Sequence, residues 1–246
     1  PEISRFPSGR FYGGRLVDAR RGEPAGAAAG PGPLPPYAVV DVADGEEVAQ
    51  RRRGHVSNPA EAHALVRVAA WAAARTKGSI VVITFYSGQA TLIRQLLKEA
   101  LKEVPSARVQ VHTVDSFQGA EADVVLLSFV RANSGRKLGF LTEFRRLNVA
   151  LTRARLSLLI FANVARLASP GQEASDDVAA LFSDAAERGC IWQGAKALLR
   201  AARPGGAKGK QATSVVAGAP ARAEEVAAAQ PPAAELAAGA PAKPRA

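Results

Sequence analysis

The sequence predicts an α/β domain with a mainly parallel β-sheet covered by helices on both faces. Three observations carry this. Runs of five or six residues, among them Ile80-Val-Val-Ile-Thr-Phe85 and Val124-Val-Leu-Leu-Ser-Phe129, are apolar throughout, as strands buried on both faces are. Segments of helical length and period stand between them. The alternation repeats from residue 37 to residue 193, which is the order of βαβ units rather than of a sandwich.

In chain order, residues 1–36 carry Ser8-Gly9, Gly13-Gly14 and a Pro/Gly/Ala stretch from Gly22 to Pro36, which predicts an irregular leading segment and a loop. Ala38-Val-Val-Asp-Val-Ala43 reads as the first strand, and a polar loop with Arg51, Arg52 and Arg53 follows. Asn58, Pro59 and Glu61 form a helix-start signature: a capping amide, a proline in the first turn where its missing N–H costs nothing, and an acid three residues after the cap. That helix is expected to run through Arg75. Ile80–Phe85 is the next strand, Gln89–Lys102 a helix, and Val109–Thr113 and Val124–Phe129 two more strands. Arg145-Arg-Leu-Asn-Val-Ala-Leu-Thr-Arg-Ala-Arg155 reads as one helix, with Leu147, Ala150, Leu151 and Ala154 as its apolar stripe. Arg146 and Arg153, seven apart, then share one edge of the stripe. Ser157–Ala162 is strand-like, and a helix from Asp176 to Arg188 ends at Gly189. Residues 194–246 read as a low-complexity tail, which from Pro204 is Ala, Pro and Gly with few large apolar side chains and is expected to be disordered.

Composition narrows the function. Net charge is +10, of which the tail from Pro204 supplies only +2, so the folded part is itself basic and suits a polyanion, nucleic acid first. A single cysteine, Cys190, permits no internal disulfide, and three scattered histidines have no metal-ligand spacing, so no metal site is expected. Apolar runs stay far below the roughly 20 residues that span a bilayer, and the expectation is an intracellular, soluble protein with no membrane partner.

In parallel sheets ligands gather at the carboxyl ends of the strands. Tyr86-Ser87-Gly88-Gln89 follows one strand, and Val114-Asp-Ser-Phe-Gln-Gly-Ala-Glu-Ala-Asp123 follows another, its glycine able to let backbone N–H groups approach phosphate. An arginine on the 145–155 segment offers a planar fork suited to phosphate oxygens.

Taken together, Val114–Asn133, Gly139-Phe-Leu141 and Arg145–Arg155 resemble motifs V and VI of superfamily 1 helicases of the up-frameshift and senataxin type. Thr84-Phe-Tyr-Ser-Gly-Gln89 resembles motif IV of that family, with Phe85 where the family carries proline, and Phe6–Leu16 resembles the segment that leads into its second RecA-like lobe. The match covers roughly residues 1–193. It implies a RecA-like, P-loop-NTPase-type three-layer domain, residues 37–193, that serves as the second lobe of a motor with ATP and Mg2+ in the cleft between two lobes and single-stranded RNA or DNA across both. By resemblance, Arg153 is the arginine finger on the γ-phosphate and Arg146 supports the cleft. Tyr86 stacks on adenine, Gln89 belongs to its neighbourhood, Gly119 approaches the phosphates, and Glu121 holds the ribose or links nucleotide state to lobe position. Thr113 and Ser116 touch the nucleic-acid backbone.

A phosphate loop G-x-x-x-x-G-K-[ST] does not occur in the sequence; Gly209-Lys210 is followed by Gln211 and preceded by Pro204 at the first glycine position. The expectation is a truncated chain whose first lobe, with its Mg2+ ligands, lies elsewhere in the protein, so that the piece alone is inactive. The competing reading is a stand-alone nucleic-acid-binding or regulatory module with the same fold and no ATPase activity. Oligomeric state is open.

Overall fold

The computed structural model describes residues 1–18, 33–49, 55–102, 109–133, 138–168 and 176–203. Its centre is a six-stranded parallel sheet. The strands are β1 (Tyr37–Asp41), β4 (Ile80–Thr84), β5 (Val109–Thr113), β6 (Ala122–Ser128), β7 (Ala154–Ala162) and β8 (Ile191–Gln193), in the order β5-β4-β6-β7-β1-β8. A small antiparallel hairpin, β2 (Val48–Ala49) and β3 (Val56–Ser57), stands apart. This is the RecA-like α/β class expected from the sequence.

Alternation along each strand divides the core into two layers. Val39, Val81, Ile83, Val125, Leu127, Leu158 and Ile160 face one side, where they meet α1 (Arg5–Tyr12), α4 (Phe144–Leu151) and α6 (Asp176–Glu187). Val40, Val82, Leu126, Leu159 and Phe161 face the other, under α2 (Pro59–Ala73), α3 (Ser87–Ala100) and α7 (Gly194–Ala201). A short helix, α5 (Val164–Leu167), follows β7. Of the strands read from the sequence, β5 has an alternating Val-Gln-Val-His-Thr pattern, and it is the half-exposed edge strand.

Besides the β2–β3 hairpin and α5, three elements that shape the core or the site go beyond the sequence reading. The leading segment contains α1, closed by Gly13 in the left-handed conformation with its N–H on Ser8 O; Phe6 and Pro7 are its buried residues. β8 extends the sheet beside β1. α7 lies past residue 193, where a low-complexity tail was expected; its Ala195 and Leu198, three apart, are buried among the α2-side core. The expected tail from Pro204 onward lies outside the described residues.

The start of α2 follows the sequence signature and then departs from it. Asn58 Oδ1 accepts the Glu61 N–H at 3.1 Å, as a cap should. Glu61 does not reach back to the Asn58 N–H, which Gln89 Oε1 takes at 2.8 Å. Instead the Glu61 carboxylate accepts the Ser128 hydroxyl and the Val130 N–H, while Asn58 Nδ2 donates to Val130 O. Val130 is thereby held on both sides at φ +72°, a conformation that β-branched residues adopt only under such constraint.

Glu61 is fully buried, and burial pushes its pKa up from the usual carboxylate range to about 8. An acid whose folded pKa lies above its unfolded value favours folding while protonated. Its contribution is complete below the unfolded value near 4.5 and declines as pH rises to about 8. Glu61→Gln should flatten that stretch of the stability profile. Urea melts at a series of pH values check this, and a wild-type curve with no decline between those values would contradict it.

Candidate functional site

The arginine-rich segment is not one helix. α4 ends at Leu151, where the Thr152 hydroxyl turns back onto Asn148 O and Val149 O, and β7 begins at Ala154. The reason lies in the sequence downstream: Leu158–Ala162 is fully buried between its strand neighbours, and the pairing of β6 with β7 reaches back to Ala122 and Ala154. Leu147, Ala150 and Leu151 form the buried stripe as expected, but Ala154 belongs to the strand.

Arg153 therefore occupies the turn between helix and strand, at the amino ends of β6 and β7 rather than at the carboxyl rim the strand-end rule predicts. Its Nε donates to Val149 O at 2.9 Å, Nη1 to Ala120 O at 3.3 Å and Nη2 to the Thr152 hydroxyl at 2.9 Å. All three acceptors are neutral. The other arginines of the segment differ. Arg146 pairs with Asp115 at 3.0 Å and Glu143 at 2.8 Å, and Arg155 with Asp123 at 2.9 Å. Arg145 lies over the Phe144 ring on the outer side of α4. The sequence placed Arg146 and Arg153 along one helix edge; the structure sends Arg146 sideways to Asp115 and Arg153 down to Ala120.

Beside Arg153 lies the turn Gly119–Glu121. Gly119 has φ +84°, and nothing stands within 4 Å of where a Cβ would be, so the glycine is required by its backbone angle and leaves the peptide open. Glu121 is exposed. Glu121 and Arg153 line an open cleft of about 720 Å³ together with residues of the leading segment, including Glu2, Ile3, Tyr12 and Leu16. Arg155 also lines it. The sequence reading gave the leading segment no chemistry; only Phe11-Tyr12 before Gly13-Gly14 signalled an ordered turn there.

Thr113 and Ser116 lie at the other end of the sheet, after β5. Their hydroxyls are 3.1 Å apart, and Ser116 Oγ also accepts the Thr113 N–H at 3.0 Å, a local turn that fixes both on the surface. Residues 113–121 thus run from the carboxyl end of β5 to the amino end of β6. The seven residues of β6 measure that height, about 20 Å at the usual strand rise.

Tyr86 and Gln89 do not join the Arg153 cleft. Tyr86 follows β4 at the carboxyl end and is 2% exposed; its hydroxyl donates to Leu138 O at 3.1 Å, and its ring packs against Phe140 and under the Arg131 guanidinium. Burial pushes its phenol pKa up. No face is open to a base, which corrects the adenine-stacking expectation. Gln89 is fully buried, its amide shared between Asn58 and Ser128, and it serves the framework that holds α2 and α3 to the sheet.

Comparison with known proteins identifies the family. Residues 1–165 match the family profile described as an AAA domain. The probable helicase senataxin of Homo sapiens is 35% identical over 197 residues, 78% of this chain and 7% of that protein. Helicase SEN1 of Saccharomyces cerevisiae is 29% identical over 211 residues, 78% of this chain and 9% of that protein. The Regulator of nonsense transcripts 1 homolog of Neurospora crassa is 35% identical over 170 residues, 66% of this chain and 16% of that protein. Fold and motifs define a RecA-like helicase domain. The chain belongs to the superfamily 1 helicases of the up-frameshift and senataxin type. It spans less than a fifth of the length of these relatives.

Proposed function

We propose that the chain is the second motor lobe of an ATP-dependent RNA or DNA helicase, closing on nucleotide held by a first RecA-like lobe elsewhere in the same protein. The observation that carries this is the state of Arg153. It borders an open cleft with its charge unmatched by any carboxylate among the described residues, whereas Arg146 and Arg155 beside it are ion-paired. A guanidinium held by neutral acceptors can exchange them for phosphate oxygens without breaking an ion pair. Gly119 would bring its open backbone to the same phosphates, and Glu121 would accept from ribose hydroxyls.

The cleft would receive the polyphosphate, and the Mg2+ ligands are assigned to the first lobe, as the family resemblance implies. Bound ATP supplies the phosphoryl group; what this chain adds is charge at the γ-phosphate and a wall that excludes water. Arg146 acts at a distance, tying α4 to Asp115 in the segment that links the two ends of the site.

The opposite end of that segment would take the strand. The Thr113 and Ser116 hydroxyls donate to backbone phosphates, and rotation of residues 113–121 relays nucleotide state to the grip on the nucleic acid. Among the described residues no helix is long and apolar enough to cross a membrane. Single-strand affinity of the intact protein should fall linearly in log-log form with salt, about 0.7 in slope per phosphate neutralised. Removing two neutral hydroxyls with Thr113→Ala and Ser116→Ala should weaken binding at every salt concentration while leaving that slope in place. A flat profile, or an unchanged affinity in the double variant, would refute the strand assignment. Salt-dependent binding by an intact protein that turns over no ATP would instead favour the stand-alone module.

A further inference from the structure

The leading segment forms one wall of the Arg153 cleft, and a single buried side chain fixes where that wall stands. Arg188 follows α6 and is 5% exposed at its side chain. One of its terminal nitrogens, Nη2, donates both to Glu2 O at 2.8 Å and to the Glu2 carboxylate at 2.6 Å. The other, Nη1, pairs with Asp184 at 3.0 Å, one turn back on α6. The guanidinium lies 4.5 Å over the Tyr37 ring at the start of β1. Burial pushes the Tyr37 phenol pKa up, so the ring stays neutral beneath the cation.

Three different parts of the fold therefore meet on one cation: a helix through Asp184, the sheet through Tyr37, and the cleft wall through both the backbone and the side chain of Glu2. The Arg188 Nε and the Tyr37 hydroxyl find no hydrogen-bond partner among the described residues. Such a site is costly to keep charged, and the outlay is balanced only while the carboxylates remain in place. Glu2 itself is 59% exposed at its side chain, so water alone would not hold it there. Residues Pro1–Ser4 line the same cleft as Glu121 and Arg153.

We propose that Arg188 is a positioning residue for nucleotide binding: by gripping Glu2 it sets the distance between the leading segment and Arg153, and with it the width of the cleft. This rests on the reading of that cleft as the nucleotide side. A lysine could not replace it, since one ammonium cannot satisfy Glu2 O, the Glu2 carboxylate and Asp184 in the same plane.

Two readouts on the intact protein test this, amide hydrogen exchange over residues 1–5 and the ATP dependence of turnover. Glu2→Gln and Arg188→Lys should each speed exchange in the segment and raise KM for ATP about tenfold, the equivalent of one charge-assisted hydrogen bond, with a smaller fall in kcat. Asp184→Asn, which loosens Arg188 on the α6 side only, should raise KM less than Glu2→Gln does. Combining Glu2→Gln with Arg188→Lys should add little to either alone, because both break the same contact. Faster exchange with KM unchanged would overturn the proposal while leaving the helicase reading intact. Unchanged exchange would overturn it at the first step. If Arg153→Ala leaves turnover untouched in the same assay, the reading of the cleft has failed rather than the role of Arg188.

Discussion

Arg153→Ala in the intact protein should lower the ATPase rate by about 10³- to 10⁵-fold, the range over which arginine fingers act, while single-strand affinity stays close to that of the parent. The two halves of the expectation come from two ends of the lobe. Arg153 stands at the amino ends of β6 and β7, whereas Thr113 closes β5 at its carboxyl end and Ser116 follows it. Its present bonds go to Val149 O, Ala120 O and Thr152 Oγ1, groups that can turn to water when the side chain is removed, so the fold should tolerate alanine. Arg153→Lys should recover only part of the loss, because a point charge cannot span two phosphate oxygens as the planar fork does. Arg146→Ala should be milder, since its two ion pairs are exposed and tie α4 to Asp115 rather than entering the cleft. Steady-state ATPase measured alongside fluorescence anisotropy of a labelled oligonucleotide separates these outcomes. Loss of strand binding together with turnover would mean that the two ends are not distinct.

Leu147→Ala should destabilise the domain by about 2 to 5 kcal/mol, the cost of a cavity at a site that cannot collapse. Leu147 is fully buried on the inner face of α4, in the core layer that also contains Phe129, Leu141, Leu151 and Phe182. Sheet strands lie beneath it and α1 and α6 pack in the same layer, so no mobile surface loop is available to fill the space. The effect reaches the site because α4 supplies Val149 O to Arg153 and Arg146 to Asp115. For a domain of this size the loss corresponds to about 2 to 4 °C in Tm per kcal/mol. Thermal and urea melts check it; a shift equivalent to less than about 1 kcal/mol would show that α4 is not anchored as described.

Much of the sheet was legible because apolar strands buried on both faces leave little choice of structure. Ile80–Thr84 and Val124–Ser128 fall where the runs predict, and Asn58 caps α2 as its spacing demands. The errors share a cause. Helical periodicity in Arg145–Arg155 is genuine through Leu151, but pairing with β6 captures Ala154 into β7, a tertiary contact that period alone does not register. Tyr86 and Gln89 sit after a strand, where ligands often bind, yet the segment Leu138–Phe140 covers the tyrosine and the buried Asn58 network consumes the glutamine. α7 hides in alanine-rich sequence because two buried residues, Ala195 and Leu198, suffice to dock it. The grip of Arg188 on Glu2, 186 positions apart, leaves no local trace in sequence.

On the proposed reading, the amino-end cleft of this domain, not its carboxyl rim, meets the nucleotide. The most direct test is a structure of the intact protein with a non-hydrolysable ATP analogue and a short oligonucleotide. The Arg153 guanidinium should lie within hydrogen-bonding distance of the terminal phosphate, released from Ala120 O, with Glu121 beside the ribose and the strand passing Thr113 and Ser116. Arg153 still bonded to Val149 O and Ala120 O, with the analogue seated near Tyr86 instead, would contradict it.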